Sequence, residues 1–457
     1  MPFRWNPREH LHLGGYVLKW LLLTLPIGLS VGSACAFFLW SLDTVTHLRW
    51  NYPWLLFLLP VAGLAIGLLY HWLGRSVESG NNLIMEQIHE PGGGVPTRMA
   101  PLILIGTVVT HLFGGSAGRE GTAIQMGGSI AGGFSKLFRL NSTDLRTMLM
   151  TGVAAGFGGV FGTPIAGTVF ALEVLAVGRM SYESLIPCLM AAILSDWVCS
   201  AWGIHHTQYH LADLVNSGLF PTEAAPYWLL FGKVLVAAVA FGLASVLFAE
   251  LTHGWQRIFQ WISPRPYFRP ILGGGLVIAL VYLTGTRDFL GLGVVGQYPD
   301  SVSILSSFHA GGAHTWSWWW KILFTAITLG SGFKGGEVTP LFFVGAALGN
   351  ALAVALGAPP ALFAAIGFVA VFAGATNTPL ACTIMAIELF GPTYVIYYAI
   401  GCFLAYLFSG HSGIYLSQRI ATPKTTRLGL PANLSLREAR LLKPHFFKFF
   451  SKDREAP

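Results

Sequence analysis

The chain has 457 residues, of which 54% are hydrophobic and 10% charged, with a mean hydropathy of +0.61. A soluble domain carries roughly 25% charged residues, so this composition argues against an ordinary soluble enzyme and for a protein that crosses the bilayer many times. The formal net charge of +7 gathers at the two ends without any nucleic-acid recognition motif, which argues against nucleic acid as a partner.

Residues 1–14, MPFRWNPREHLHLG, are polar and basic and read as a cytoplasmic N-terminal segment. The apolar segment that follows is too long for the h-region of a cleavable signal, so none is expected. Apolar stretches of membrane-spanning length then recur, for instance Trp54 to Tyr70, Tyr227 to Phe248 and Ile271 to Leu283. A bilayer needs about 20 predominantly apolar residues per spanning helix. Lipid offers no hydrogen bonds to a bare backbone, so the predicted interior is nearly all helix. The 55 glycines and 25 prolines predict tight helix packing and broken helices. Cys35, Cys188, Cys199, Cys382 and Cys402 lie in apolar surroundings and read as packing residues.

Gly80 to Ile84 reads GNNLI and runs into MEQIH. There His89 stands near Glu86 and Glu90, at a spacing that fits no strong metal-ligand pattern, so no metal is expected. Residues 115–122 read GSAGREGT, which sets Arg119 and Glu120 among small residues between PLILIGTVVTHLF and AIQMGGSIAGGF. An ionisable group within a membrane is costly, so Glu120 reads as functional.

The chain repeats itself. GVAAGFGGVFGTPIAGTVFALE (152–173) aligns with GFVAVFAGATNTPLACTIMAIE (367–388) at a shift of 215, with 10 of 22 positions identical, including a shared Thr-Pro and a shared final Glu. Glu173 and Glu388 are those final residues, and their equivalence suggests a structural role such as capping a neighbouring helix. A weaker match sets residues 115–127 opposite 330–345. The predicted units are therefore a first membrane half over 15–205, a polar connector over 206–225 and a second half over 226–420. Residues 421–457 form a basic tail. From Arg419 onward nine Lys/Arg face three acidic residues, and the positive-inside rule puts both termini in the cytoplasm.

Duplicated halves are a transporter design, with the site between them where broken helices point their ends at the substrate. Helix N-termini favour anions through free N–H groups and the dipole. GREGT is predicted to open a helix at Ala123, and GGEVTP one at Leu341, with Pro340 in its first turn. Two such N-termini converging make an anion site, with Arg119 and Lys334 either raising its potential or held in structural salt bridges. Glu337 beside the second motif reads as a titrating or a water-facing group.

At this point the residues resemble a known family. GREGT is similar to the GREGP/GKEGP motif of the CLC chloride channels and chloride/proton antiporters, and GGEVTP to that family's second anion-site motif, GxFxP. The resemblance implies an all-α membrane fold of two inverted-topology repeats with broken helices. It also implies a homodimer with one pathway per subunit, no cofactor, and a cell (inner) membrane location. The basic tail is too short for the paired nucleotide-binding modules of eukaryotic members.

Departures from the chloride pattern narrow the resemblance. Asn81 stands where the family has a chloride-site serine. Thr122 replaces the proline of GREGP, Thr339 an alanine, and Val174 an internal proton-transfer glutamate. Together these are similar to the fluoride/proton antiporter branch. The resemblance assigns Glu120 as the gating and proton-transfer glutamate. It assigns Asn81, Gly118, Arg119, Gly121, Thr122, Val338, Thr339 and Tyr415 to the anion path; the competing reading of Tyr415 is a packing tyrosine. Fluoride accepts hydrogen bonds strongly, and Asn81 and Thr339 supply N–H and O–H donors. The expected function is fluoride export from the cytoplasm in exchange for protons. The alternative within the fold is a chloride/proton antiporter or anion channel. GGSAG (114–118) formally matches the serine-hydrolase GxSxG elbow, but it follows an apolar membrane segment rather than a strand and lacks a placed Asp–His pair, so no enzyme activity is expected.

Overall fold

The computed structural model of the protein describes residues 7–209, 227–425, 431 and 433–442. Eight helices precede residue 209: α1 (Pro7–Asn51), α2 (Leu59–Leu73), α3 (Asn81–His89), α4 (Met99–Leu112), α5 (Glu120–Leu137), α6 (Ser142–Phe161), α7 (Pro164–Glu173) and α8 (Leu185–Ala201). After residue 227 come α9 (Tyr227–Ile262), α10 (Arg269–Thr284), α11 (Ser317–Ser331), α12 (Val338–Leu356), α13 (Pro360–Thr376), α14 (Pro379–Phe390), α15 (Val395–Phe408) and, in the tail, α16 (Leu436–Leu442). Among the described residues six stretches are long and apolar enough to span a bilayer, and several shorter apolar helices lie among them, as the prolines predicted. Residues 7–14, expected as a separate polar segment, are the first turns of α1.

The repeat has a packing cause. Helix α5 packs on α6 where a Cβ on Gly127 would lie 2.0 Å from the Gly152 carbonyl, and α12 packs on α13 where a Cβ on Gly345 would lie 2.0 Å from the Gly367 carbonyl. Only a bare backbone allows that approach. The repeated phenylalanines Phe157 and Phe372 stack on one another, with ring centroids 6.3 Å apart. Side chains such as Trp40, Trp72, Trp197, Trp228 and Tyr282 stay on the outside, as a lipid-facing surface requires.

Helices α7 and α14 settle the orientation of the halves. Glu173, the last residue of α7, accepts hydrogen bonds from the Leu380 and Ala381 N–H groups at the start of α14, at 3.2 and 2.8 Å. Glu388, near the end of α14, accepts from Ile165 and Ala166 at the start of α7, at 3.0 and 2.8 Å. Each carboxylate satisfies N–H groups that a helix start leaves open. Two helices capped at opposite ends by each other run antiparallel. Because they are equivalent in the repeat, the halves are inverted copies, and the capping role anticipated for Glu173 and Glu388 is observed.

Beyond Phe408 the chain returns to the body. A two-residue strand β2 (Arg419–Ile420) pairs in parallel with β1 (Ala176–Val177). Gln418 donates to the carbonyls of Val174 and Thr376, at 2.8 and 2.9 Å, one in each half. Arg419 pairs with Glu90 and Arg440 with Glu250, so part of the tail's basic charge is engaged in docking. Arg427, Lys443, Lys448, Lys452, Arg454 and, at the other end, Arg4 lie outside the described residues, as does the connector from 210 to 225. At the connector's start, Tyr209 packs between Phe308, Phe368 and Phe390.

Candidate anion site

The two glycine-rich motifs meet. Gly118 and Gly336 exchange backbone hydrogen bonds at 2.6 and 2.8 Å, forming a single antiparallel bridge between the loops that precede α5 and α12. A Cβ on Gly118 would lie 2.9 Å from the Thr339 nitrogen, and one on Gly121 would lie 3.0 Å from the Gly336 Cα. These glycines serve close approach. That explains a correction: the helices start at Glu120 and Val338, not at Ala123 and Leu341. Gly121 reads as a break but sits in the first turn of α5, because the facing backbone leaves no room for a side chain.

Glu120 is fully buried at this junction. Its carboxylate reaches across to the start of α12, where the Thr339 N–H donates to Oε2 at 3.0 Å and the Thr339 hydroxyl lies 2.7 and 2.6 Å from the two oxygens. The Arg119 N–H donates to Oε2 at 3.1 Å. The first turn of α12, opened by Val338, thus holds a negative group on its free N–H groups, as a helix N-terminus favours. The carboxylate stands where an anion would sit.

Two cavities lie near the chain neighbours of Glu120. Arg119 lines the larger, about 720 Å³, together with Arg49, Arg287, Asp43 and Asp288. Its Nε lies 3.5 Å from a Glu120 oxygen. Gly121 abuts the carboxamide nitrogen of Asn81. Asn81 and Tyr415 line the smaller, narrow cavity with Ile124, Phe170 and Val174. Asn81 Oδ1 and the Tyr415 hydroxyl are both buried without a hydrogen-bond partner. Two buried polar atoms thus stand unpaired at residues that border one narrow space, an arrangement that calls for a polar partner.

The other expected residues separate. The Thr122 hydroxyl pairs with Thr107 at 2.7 Å and is engaged with α4 rather than with Glu120. Lys334 lies over the Tyr70 ring, 4.0 Å from its centroid, and among the described residues it forms no salt bridge. Glu337 is the part-buried N-cap of α12. His89, Glu86 and Glu90 go to three different partners, the Leu175 carbonyl, Ser417 and Arg419, and among the described residues no group of ligating side chains could hold a metal ion. Ser116 of the GxSxG match is buried in a hydroxyl pair with Thr325. Sequence reasoning missed Thr107 and His111, which brace the first motif from α4. Their signal was the polar Thr-x-x-Thr-His pattern within an apolar helix.

Comparison with known proteins places the chain in a family. Residues 62–410 match the family model described as voltage gated chloride channel, the CLC family. The chain belongs to that family, whose members move anions through membranes, and it is a multi-pass membrane protein. It is 48% identical over 438 residues, 94% of this chain and 93% of the relative, to a chloride/fluoride channel protein of Pseudomonas syringae pv. tomato. It is also similar to the crystal structure of a CLC-type fluoride/proton antiporter, at 34% identity and a TM-score of 0.80, covering 88% of this chain and 98% of that one. A slow cyanobacterial chloride/proton antiporter, at 19% identity and a TM-score of 0.72 over 87% of this chain and 96% of that one, shares the fold.

Proposed function

We propose that the protein is a secondary transporter that carries fluoride out of the cytoplasm in exchange for protons. The observation that carries this reading is the Glu120 carboxylate seated on the Thr339 N–H and hydroxyl at the start of α12. A group in that place competes with the anion while ionised. When it takes up a proton it loses its charge and its claim on the helix N-terminus, and the anion replaces it. The ionised carboxylate and the anion therefore exclude one another at one position, so anion occupancy is tied to the proton on Glu120, which is what coupled exchange needs. Fluoride is favoured over chloride because Thr339 and Asn81 offer O–H and N–H donors to an anion whose dehydration is costly. The relatives' names support the same reading. The transporter works as a homodimer with a pathway in each subunit, in the cell membrane with both termini in the cytoplasm.

The test is efflux from liposomes loaded in parallel with fluoride and with chloride, with external pH followed. Fluoride efflux with proton movement the other way, and little chloride efflux, supports the proposal. Comparable proton-coupled chloride efflux replaces it with the chloride alternative, and efflux of either anion without proton movement makes the protein a channel.

A further inference from the structure

His111, in the last turn of α4, is fully buried. Its Nδ1 lies 2.8 Å from the Thr107 carbonyl oxygen and its Nε2 3.1 Å from the Ala117 carbonyl oxygen. Carbonyl oxygens only accept. A neutral imidazole carries one N–H and one lone pair, so in this setting one ring nitrogen would turn its lone pair on an oxygen, in a place without compensation. The imidazolium donates to both.

What the ring holds is the frame of the Glu120 site. Ala117 is followed by Gly118, which makes the bridge to Gly336, and by Arg119, whose N–H donates to Glu120. Thr107, on the other side of the ring, pairs its hydroxyl with Thr122 in the first turn of α5. One ring thus ties α4 to the loop before Glu120 and to the turn that starts with it.

The charges around the ring make its proton conditional. From α1, Arg49 donates to the His111 carbonyl at 3.1 Å, and from α11 the fully buried Lys321 donates to the Phe289 and Gly291 carbonyls. Burial works first against a charge on the ring, and both cations add to it, while the two carbonyls that face its nitrogens work for it.

We propose that His111 is a proton-dependent positioning residue: protonated, it fixes the Ala117 carbonyl and with it the loop that aims Glu120 at Thr339, and on losing its proton it lets that loop go. This deepens the proposed function and rests on it. The consequence is a second pH-dependent step in fluoride transport, distinct from the titration of Glu120.

The first experiment is ¹⁵N NMR of wild-type protein with labelled histidine in lipid, the His111 signals being assigned through the Ala117 carbonyl carbon. Both ring nitrogens are expected to be protonated at the acid end of the pH range, with one proton lost as the pH rises. A bare nitrogen on His111 at every pH overturns the proposal. The second is the pH profile of fluoride efflux for the wild type, His111→Gln, Glu120→Gln and the double variant. Gln carries its two N–H donors on one nitrogen and does not span the two carbonyls as the ring nitrogens do, so His111→Gln is expected to slow efflux roughly tenfold where the wild-type ring is protonated. The remaining pH step of Glu120→Gln is expected to vanish in the double variant. Unchanged profiles on removing His111 overturn the proposal. If no variant and no wild type moves fluoride, the transport reading has failed, while the NMR result still decides the state of the ring.

Discussion

Glu173 and Glu388 cap one another's helices. Each sits at the end of its own helix and accepts from two N–H groups at the start of the other's, so α7 and α14 are clasped at both ends. Replacing either by Ala removes one clasp and leaves two N–H groups at a helix start without their acceptor. Loss of a cap costs about 0.5–2 kcal/mol, so each variant is expected to unfold at lower temperature in detergent. Proton-to-fluoride coupling is expected to stay intact. Altered coupling without lost stability would mean that these carboxylates carry protons.

Glu120→Gln keeps the shape of the side chain but removes its charge and its titration. The variant is expected to pass fluoride without moving protons. Simultaneous fluoride and pH recording on liposomes checks this, and coupled exchange surviving in Glu120→Gln would sink the gating role.

Thr339→Val removes the hydroxyl 2.7 Å from the Glu120 carboxylate while keeping the backbone donor. A hydrogen bond to a charged group is worth about 1.5–3 kcal/mol. Fluoride flux is therefore expected to fall by roughly tenfold or more, with the loss greater for fluoride than for chloride. Asn81→Ser is expected to shift selectivity the same way. Parallel efflux of the two anions gives the ratio, and an unchanged ratio in both variants would remove these side chains from selectivity.

Gly118→Ala tests the meeting of the two motifs. Its Cβ would come 2.9 Å from the Thr339 nitrogen and 3.0 Å from a Glu120 oxygen. The α12 start is fixed by the Gly118–Gly336 bridge, so the strain falls on the site. Folded protein with transport lost is the expected outcome, read by size-exclusion chromatography beside liposome flux. Normal flux would mean that the loops part more easily than their packing suggests.

Much of this was legible in the sequence because the repeat is itself a packing rule. Gly152 and Gly367 match because each lets a neighbouring helix touch bare backbone, and the shared Thr-Pro and final Glu mark a helix start and the cap for its counterpart. The pairing of those caps was not legible, since a repeat does not say which way its second copy points. The helix starts were misplaced by three residues because Gly121 looks the same whether it breaks a helix or makes room for one. Arg119 and Lys334 looked equivalent, yet one lines a cavity and the other covers Tyr70, a difference that depends on neighbours distant in the chain. His111 escaped notice because its meaning lies in two carbonyl oxygens, which side-chain letters do not record.

The antiparallel α7–α14 pair has one more consequence. A scaffold built from two copies facing opposite ways offers much the same architecture to either side of the membrane. Its sense of direction must then reside where the copies disagree. At the heart of the molecule they do disagree: opposite Arg119 and Glu120 the other copy has Glu337 and Val338, and opposite Gly121 it has Thr339. One copy contributes the carboxylate and the other the helix start that holds it, so the two faces of the membrane meet different chemistry at the junction of two like halves.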